Sequence, residues 1–402
     1  MHPLASGFPA TRSLRPAFAG ASATFSGLGL GRFAYVPLFP AMVTAGWVTG
    51  AEAGLLGALN LAGYLVGVLG GRSLARRLGT GAALNVGMAL VVLSFAACGW
   101  NGGTAWLAAW RCLVGVAGGI LMVLAGPAVQ GAVSPAQRGL AGGIVMTGVA
   151  TGVVTSAVAV PMLLPAGLSA TWLGLAALVV LLWLFAGRAW PGTPVPAPTR
   201  GLPAGTGVLT AAYGLSAAGL VPHMVYFADL VVRGRGLDLL YASLAWVLFG
   251  VGGLAGPLLG GRAADRWGAR PVVRAWLLFQ VGALALVFVP HPAALMSAAL
   301  LGGFASIGLT AVTLARAREL AGAGAGAVWA RTTAAFAVAQ AVTGFALAAL
   351  FARTGSHDAL FATGLALSAA ALLPTLLPER RLGADERSTA AAAHGRTPHG
   401  PQ

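Results

Sequence analysis

Two short arginine-containing segments decide how this chain is organised: GRSLARRLG at residues 71–79 and GRAADRWG at residues 261–268. Each follows one apolar run and precedes another, and both runs are long enough to cross a membrane. Their final glycines, Gly79 and Gly268, lie 189 residues apart. This spacing predicts two repeated halves, in which each segment is the loop between the second and third helices of its half.

The whole chain is strongly apolar. Of its 402 residues, 58% are hydrophobic and 8% are charged, and the mean hydropathy is +0.84. Soluble domains carry about 25% charged residues, so this composition excludes a soluble globule. Twelve runs of roughly membrane-spanning length predict an all-α membrane protein with two six-helix halves. The runs are 17–43, 52–71, 81–100, 105–130, 139–164, 168–187, 206–230, 239–260, 272–289, 293–315, 327–351 and 359–378.

The basic residues follow the predicted topology. All 24 are arginine, and with 9 acidic residues they give a formal net charge of +15. If the spans alternate in direction, 19 arginines lie on the side of both termini, 3 on the other side, and only Arg32 and Arg111 within spans. The bias predicts cytoplasmic termini in a multi-pass protein of a bacterial-type inner membrane. Because the charge is spread over every inner loop, it argues against a nucleic-acid partner.

The runs also divide the chain into segments. We expect a cytoplasmic N-terminal segment at 1–16 and helical bundles at 17–187 and 206–378. A proline-rich stretch at 188–205 predicts a semi-extended cytoplasmic linker. The tail at 379–402 has too few apolar residues to pack, so we expect it to be disordered in the cytoplasm.

Several segments resemble the major facilitator superfamily of transporters. GRAADRWGAR at 261–270 is similar to its loop pattern of Gly, three residues, Asp, Arg, any residue, Gly and then basic residues. In the first half, Arg76 stands at the Asp position. RCLVGVAGG at 111–119 is similar to the superfamily's Arg-xxx-Gly-xx-Gly element. GLGRFAYVPLFP at 29–40 and the pattern from Glu52 to Gly67 resemble the YbfB/YjiJ-type branch, and the resemblance covers the chain apart from the linker and tail.

This resemblance implies alternating access, in which two halves rock around a central cavity lined by spans one, four, seven and ten. It also implies gating or conformational roles in the loops and in the second span. The residues with these predicted roles are Glu52, Asn60, Gly71, Arg77, Gly79, Gly261, Asp265, Arg266 and Gly268.

Arg32 is the strongest candidate for substrate binding. It lies about 15 residues into the first span, or about 22 Å at 1.5 Å per residue, too deep to reach water easily. Charged residues inside spans usually mark functional sites. Tyr35 follows at i+3 and shares the face of Arg32. The guanidinium binds an anionic group of the substrate in one interpretation, and in the other it makes an interhelix ion pair or caps helix carbonyls.

Arg111 lies near the outer end of the fourth span. The resemblance implies that Arg111 faces the same central cavity as Arg32. We therefore include Arg111 among the predicted binding residues. Glu52 begins the second span at the same surface and offers a partner for a structural or gating ion pair. No Asp or Glu lies clearly within the middle of a span.

Spans seven and ten add weaker candidates. Ser216, His223 and Tyr226 share a stripe of the seventh span at helical spacing. Because histidine ordinarily titrates near neutrality, His223 offers a proton relay. A packing role is the alternative. Ser306, Thr310 and Thr313 recur at i, i+4 and i+7 in the tenth span, although hydroxyls in spans often bond only to their own helix. We include His223, Tyr226, Ser306 and Thr310 among the substrate-binding residues.

The combined prediction is a secondary transporter of a small anionic or carboxylate-bearing solute, and not an enzyme. The alternatives are an efflux pump for amphiphilic toxic compounds and a non-transporting membrane sensor. We expect a monomer in the bilayer whose partner is the solute, with a coupled proton as one option. We expect no cofactor and no metal. The two cysteines, Cys98 and Cys112, are predicted to be packing residues.

Overall fold

The computed structural model describes residues 14–134, 137–190 and 202–376. In these ranges the protein is helical and contains no strand, as expected for an all-α membrane protein. The predicted tail, most of the predicted linker and most of the N-terminal segment lie outside the described residues. The α-helices are α1 (Arg15–Thr24), α2 (Tyr35–Thr44), α3 (Gly50–Leu78), α4 (Thr80–Cys98), α5 (Thr104–Ala132), α6 (Arg138–Leu163), α7 (Leu168–Ala186), α8 (Thr206–Asp229), α9 (Leu239–Trp267), α10 (Ala269–Leu286), α11 (Pro292–Ala321), α12 (Ala325–Thr354), α13 (His357–Ala370) and α14 (Leu372–Leu376).

Eleven membrane-length apolar helices occur in the described part of the chain, and they correspond to the second to twelfth predicted spans. The first predicted span is not one continuous α-helix. It consists of α1, a π-helix at Phe25–Leu30, four turn residues and α2. In this break, the Gly31 amide donates to the Ser26 carbonyl at 3.0 Å, five residues back. Glycines at 27, 29 and 31 and a proline at 37 weaken regular helical bonding here.

Close glycine contacts repeat in the two halves. A β-carbon at Gly63 of α3 would collide with the Cys112 carbonyl of α5, and one at Gly252 of α9 would collide with the Leu300 carbonyl of α11. Small residues let helix backbones approach closely in a membrane. The paired helices α3–α5 and α9–α11 are therefore equivalent contacts, as the repeat in the sequence predicts.

The most extensive contacts between the two halves, α1–α7 and α8–α14, are made by three pairs of helices. Helix α3 packs on α12, α6 packs on α9, and α2 packs on α8. The broken first span takes part directly, since the Trp246 Nε1 of α9 donates to the Phe33 carbonyl at 3.3 Å. Pro37 has no amide hydrogen to offer this carbonyl four residues back. The carbonyl accepts instead from the Val36 amide at 3.2 Å, and the opposite half supplies the second donor.

The bundle has two distinct ends. We call the end where α3 meets α4 and α9 meets α10 the arginine-rich end, and the end where α2 meets α3 and α8 is followed by α9 the arginine-poor end. Toward the arginine-poor end, every residue of 26–40 and of 216–231 is buried. These two segments belong to the first and seventh spans. Because they are enclosed on all faces, the structure is closed at its arginine-poor end.

The glycine contacts lead to a prediction for α3. We expect Gly63→Ala to destabilise the protein by about 1–3 kcal/mol, the usual cost of overpacking, because the new methyl group would meet the α5 backbone. Gly70→Ala on the same helix is the control, since Gly70 is exposed and nothing lies within 4 Å of its added β-carbon. There we expect a gain of up to about 1 kcal/mol from helix propensity. Thermal unfolding in detergent measures both, and equal shifts would contradict the packing.

Candidate functional site

Arg32 lies in the break of the first span and contacts the opposite half. Its side chain is only 5% exposed. Its Nη1 donates to Oε1 of Gln340, on α12, at 2.9 Å, and its Cζ lies 4.2 Å from the ring centroid of Tyr64, on α3. The break therefore places a guanidinium between the two halves, stacked on a tyrosine and bonded to a neutral amide.

The Arg32 guanidinium is incompletely satisfied. Its Nε and Nη2 are buried and have no hydrogen-bond partner. Among the residues that the structure describes, no carboxylate forms an ion pair with it. A buried charge without acceptors is unfavourable. Nε and Nη2 form one edge of the guanidinium, so this side-on edge carries two unpaired donors.

Arg111 has different surroundings. It is 1% exposed, and its Nη1 donates to the Gly31 carbonyl at 3.2 Å. Its Cζ lies 4.2 Å from the Tyr35 ring centroid and 6.0 Å from that of Trp172 on α7. Arg111 therefore bonds to the break of the first span from inside the first half, whereas Arg32 bonds to the second half.

The predicted ion pair between Glu52 and Arg111 is wrong. Glu52 caps α3, where its Oε2 accepts from the Thr49 amide at 2.7 Å, and its Oε1 accepts from Thr104 Oγ1 at 2.7 Å. Its carboxylate is satisfied by the start of α3 and by the start of α5, since a capping box uses both an N-cap hydroxyl and the acid at N3. Glu52 thus joins two helix ends.

Asn60 and Tyr35 hold the break in place. Asn60 Nδ2 lies 3.2 Å from the Arg111 carbonyl and 3.4 Å from that of Gly31, and donates to both. The Tyr35 hydroxyl donates to the Ala53 carbonyl at 2.8 Å. Unpaired backbone carbonyls are costly in a membrane interior, so Asn60 stabilises the break at Gly31. Tyr35 attaches the start of α2 to α3.

His223 and Tyr226 lie on different faces of the seventh span. His223 is fully buried, stacks on Phe227 at 5.1 Å between ring centroids, and packs edge-on against Phe361 of α13 at 5.5 Å. Neither of its ring nitrogens has a hydrogen-bond partner. The Tyr226 ring instead packs against Gly54 of α3, and its hydroxyl is also unpaired. The structure does not place the two residues together.

The hydroxyls of the tenth span are mostly bonded to their own helix. Ser306 Oγ donates to the Gly303 carbonyl at 3.3 Å, and Thr310 Oγ1 donates to the Ser306 carbonyl at 3.4 Å. Thr310 also accepts from the Tyr213 hydroxyl at 3.0 Å. Thr310 is therefore tied to the seventh span.

Three residues around this region were missing from the predicted site: Gln340, Tyr64 and Tyr213. Gln340 also donates from Nε2 to Met224 Sδ at 3.0 Å, so it connects α12, α8 and Arg32. A lone amide within an apolar span was a usable signal, because polar groups in spans usually bond across helices. Neither tyrosine gave such a signal, since aromatic residues are common in spans.

The residues with predicted gating roles in the two loops differ in how closely they pack. Gly79 and Gly268 have φ values of +86° and +81° and end α3 and α9, a conformation that favours glycine. A β-carbon at Gly71 would contact α5, but one at Gly261 meets nothing within 4 Å. Gly260 is the packed glycine of the second half. Arg77, Asp265 and Arg266 are exposed, and no partner of Asp265 is found among the described residues.

The fold is that of a multi-pass α-helical membrane protein, with eleven membrane-length helices in the described residues. A family model described as "Uncharacterised MFS-type transporter YbfB" matches residues 24–376. The chain belongs to this family, as its motifs in the first two spans suggest. A comparison with curated proteins finds no match.

Proposed function

We propose that this transporter moves a small solute bearing an anionic group, such as a carboxylate, by alternating access. The free Nε and Nη2 edge of Arg32 carries the proposal. Arginine binds carboxylates through two parallel N–H···O bonds, and this edge offers two such donors. The Tyr64 ring covers one face of the guanidinium, so the solute's oxygens approach in its plane.

The position of Arg32 also supports coupling between binding and movement. Its one described hydrogen-bond acceptor, Gln340, belongs to the opposite half. An anion that bonds to Arg32 changes the charge at the contact between the halves. Binding therefore favours one arrangement of the halves over another, as a ligand must do to shift a conformational equilibrium.

The orientation belongs to the same proposal. The arginine-rich end faces the cytoplasm of a bacterial-type cell, because positively charged residues concentrate on cytoplasmic loops. The protein functions as a monomer in the inner membrane. His223, Tyr226 and Thr310 are secondary candidates. His223 and Tyr226 have buried polar atoms without a hydrogen-bond partner, and Thr310 accepts from the Tyr213 hydroxyl.

Two measurements on purified protein test the proposal. A thermal-shift screen against metabolite anions, amines and drugs identifies the ligand class, and uptake into proteoliposomes of the stabilising anions measures transport. We expect Arg32→Ala to abolish both responses. Arg188→Ala is the control, because Arg188 is exposed and, among the described residues, donates to the Leu184 carbonyl of its own helix.

Other outcomes select other functions. Carboxylate uptake that is unchanged in Arg32→Ala at normal protein level contradicts the anion site. Resistance to toxic compounds on overexpression, without uptake, indicates efflux. Ligand binding without counterflow in proteoliposomes indicates a sensor.

A further inference from the structure

A buried carboxylate lies at the arginine-poor end, away from Arg32. Asp229, at the end of α8, is 0% exposed. Arg233 Nε donates to its Oδ1 at 2.5 Å, and Arg233 Nη2 donates to its Oδ2 at 2.6 Å. His357 Nε2, at the start of α13, lies 2.7 Å from Oδ2. Asp229 therefore binds Arg233 bidentately, and its carboxylate also contacts His357 of α13.

Arg233 contacts the opposite half. A β-carbon at Gly50, the first residue of α3, would lie 2.5 Å from Arg233 Nη2 and 3.1 Å from Nη1. The guanidinium Cζ is also 6.0 Å from the ring centroid of Phe39 on α2. The side chain of Arg233 thus lies over the first turn of α3, at the closed end of the bundle.

The position of Arg233 requires an anion on its own half. The start of a helix carries partial positive charge, so a cation there is unfavourable. Glu52 in the same turn is bonded to Thr49 and Thr104, and it makes no ion pair with Arg233 in the described structure. Asp229 is the group that neutralises Arg233 and fixes its direction.

The charged residues beside Arg233 form an ion pair of their own. Arg235 Nη2 pairs with Asp358 Oδ1 at 2.6 Å. Both residues line a cavity of about 560 Å³ together with Gly50, Arg233 and His357. The Asp358 side chain is 56% exposed and that of Asp229 is 0% exposed. Of these two ion pairs, only the one made by Asp229 therefore has a buried carboxylate.

We propose that Asp229 and His357 position Arg233 over the first turn of α3 and so keep the arginine-poor end closed. Opening this end requires α2 and α3 to separate from α8. The separation removes the contact between Arg233 and Gly50. The Arg233 latch, meaning Asp229, Arg233 and His357, therefore sets how much of the protein is closed at this end, whatever solute is carried.

Hydrogen–deuterium exchange with mass spectrometry tests the latch in nanodiscs, without a ligand. We expect Asp229→Asn to increase exchange about tenfold in residues 35–54 and 226–239, as a shift of 1.4 kcal/mol in a two-state equilibrium does. Because alternating access closes one end as the other opens, exchange in 72–80 and 261–269 should fall. A merely structural role would raise exchange at both ends. Asp358→Asn, which breaks the exposed pair at the same end, is the control.

A second variant leaves all charges in place. Gly50→Ala inserts a methyl group where the guanidinium lies, and we expect the same opposite changes at the two ends. Gly143→Ala is its control, because nothing lies within 4 Å of that added β-carbon. If the Asp229→Asn variant does not fold, the exchange measured in Gly50→Ala alone tests the latch. Unchanged exchange in Gly50→Ala, or a uniform rise along the chain, overturns the proposal.

Discussion

Replacing Arg32 with methionine is expected to abolish transport and, at the same time, to make the protein more stable. Methionine matches the length of the arginine stem and fills irregular apolar space. The substitution removes two buried donors that have no acceptor, Nε and Nη2. An unsatisfied buried polar group costs about 1–3 kcal/mol, so we expect a gain within that range in the free energy of unfolding.

The gain is smaller in the single variant than in a double variant. Arg32→Met leaves the Gln340 Oε1 without the donor it has now. Arg32→Met combined with Gln340→Met removes both polar groups, and replacing both partners of a hydrogen bond by apolar groups is often neutral or stabilising. The double variant should therefore unfold at the higher temperature.

Transport should respond in the opposite direction. Truncating one partner of a buried charged hydrogen bond costs about 2–5 kcal/mol of binding, so uptake should fall to background in both variants. Arg188→Met is the control for the loss of an arginine as such. Unfolding temperatures in detergent and uptake in proteoliposomes provide the two measurements. A loss of stability in Arg32→Met would show that the guanidinium is a structural anchor instead of a binding group.

Trp246→Ala is expected to have the largest effect on stability. Trp246 is fully buried, stacks on Phe249 with 4.4 Å between ring centroids, and donates across the halves to the Phe33 carbonyl. Replacing a buried tryptophan by alanine costs about 3–5 kcal/mol. Part of this cost falls on the break of the first span, because the Phe33 carbonyl keeps only the Val36 amide as a donor.

Trp246→Phe is the intermediate variant. It keeps one aromatic ring against Phe249 and removes the indole donor together with part of the buried ring volume. We therefore expect a loss larger than about 1 kcal/mol, the net value of one hydrogen bond, and smaller than the loss in Trp246→Ala. Trp267→Ala is the control, since Trp267 is 66% exposed and should change stability little. Thermal unfolding of the three variants measures the series. Equal losses in Trp246→Ala and Trp267→Ala would contradict the packing between the halves.

Much of the architecture was predictable from the sequence. Helices with membrane-length apolar composition lie where the second to twelfth runs are, because a span must bury apolar side chains along its whole length. The glycines at 79 and 268 marked the loops correctly, since only glycine readily adopts the positive φ that ends α3 and α9. The family motifs are local sequence patterns, so they can be recognised without knowledge of tertiary contacts.

The site was only partly predictable. Arg32 stood out because a charge within a span is rare. Its partner Gln340 is 308 positions away, and no local pattern connects them. His223 and Tyr226 are three residues apart, but at about 100° per residue their side chains diverge by about 60°. That angle is enough for one to face the second half and the other to face α3.

The sequence by itself determined that the chain is a helical membrane protein, where its spans fall, and which arginines need an explanation. Composition, run length and charge bias are sums over local segments, so they are readable without coordinates. The tertiary structure alone decided that the first span breaks at Arg32, that Glu52 caps a helix instead of neutralising Arg111, and that Asp229 holds Arg233 against the opposite half. Each of these is a choice among competing partners, and such a choice depends on which groups the packing of distant helices brings within hydrogen-bond distance.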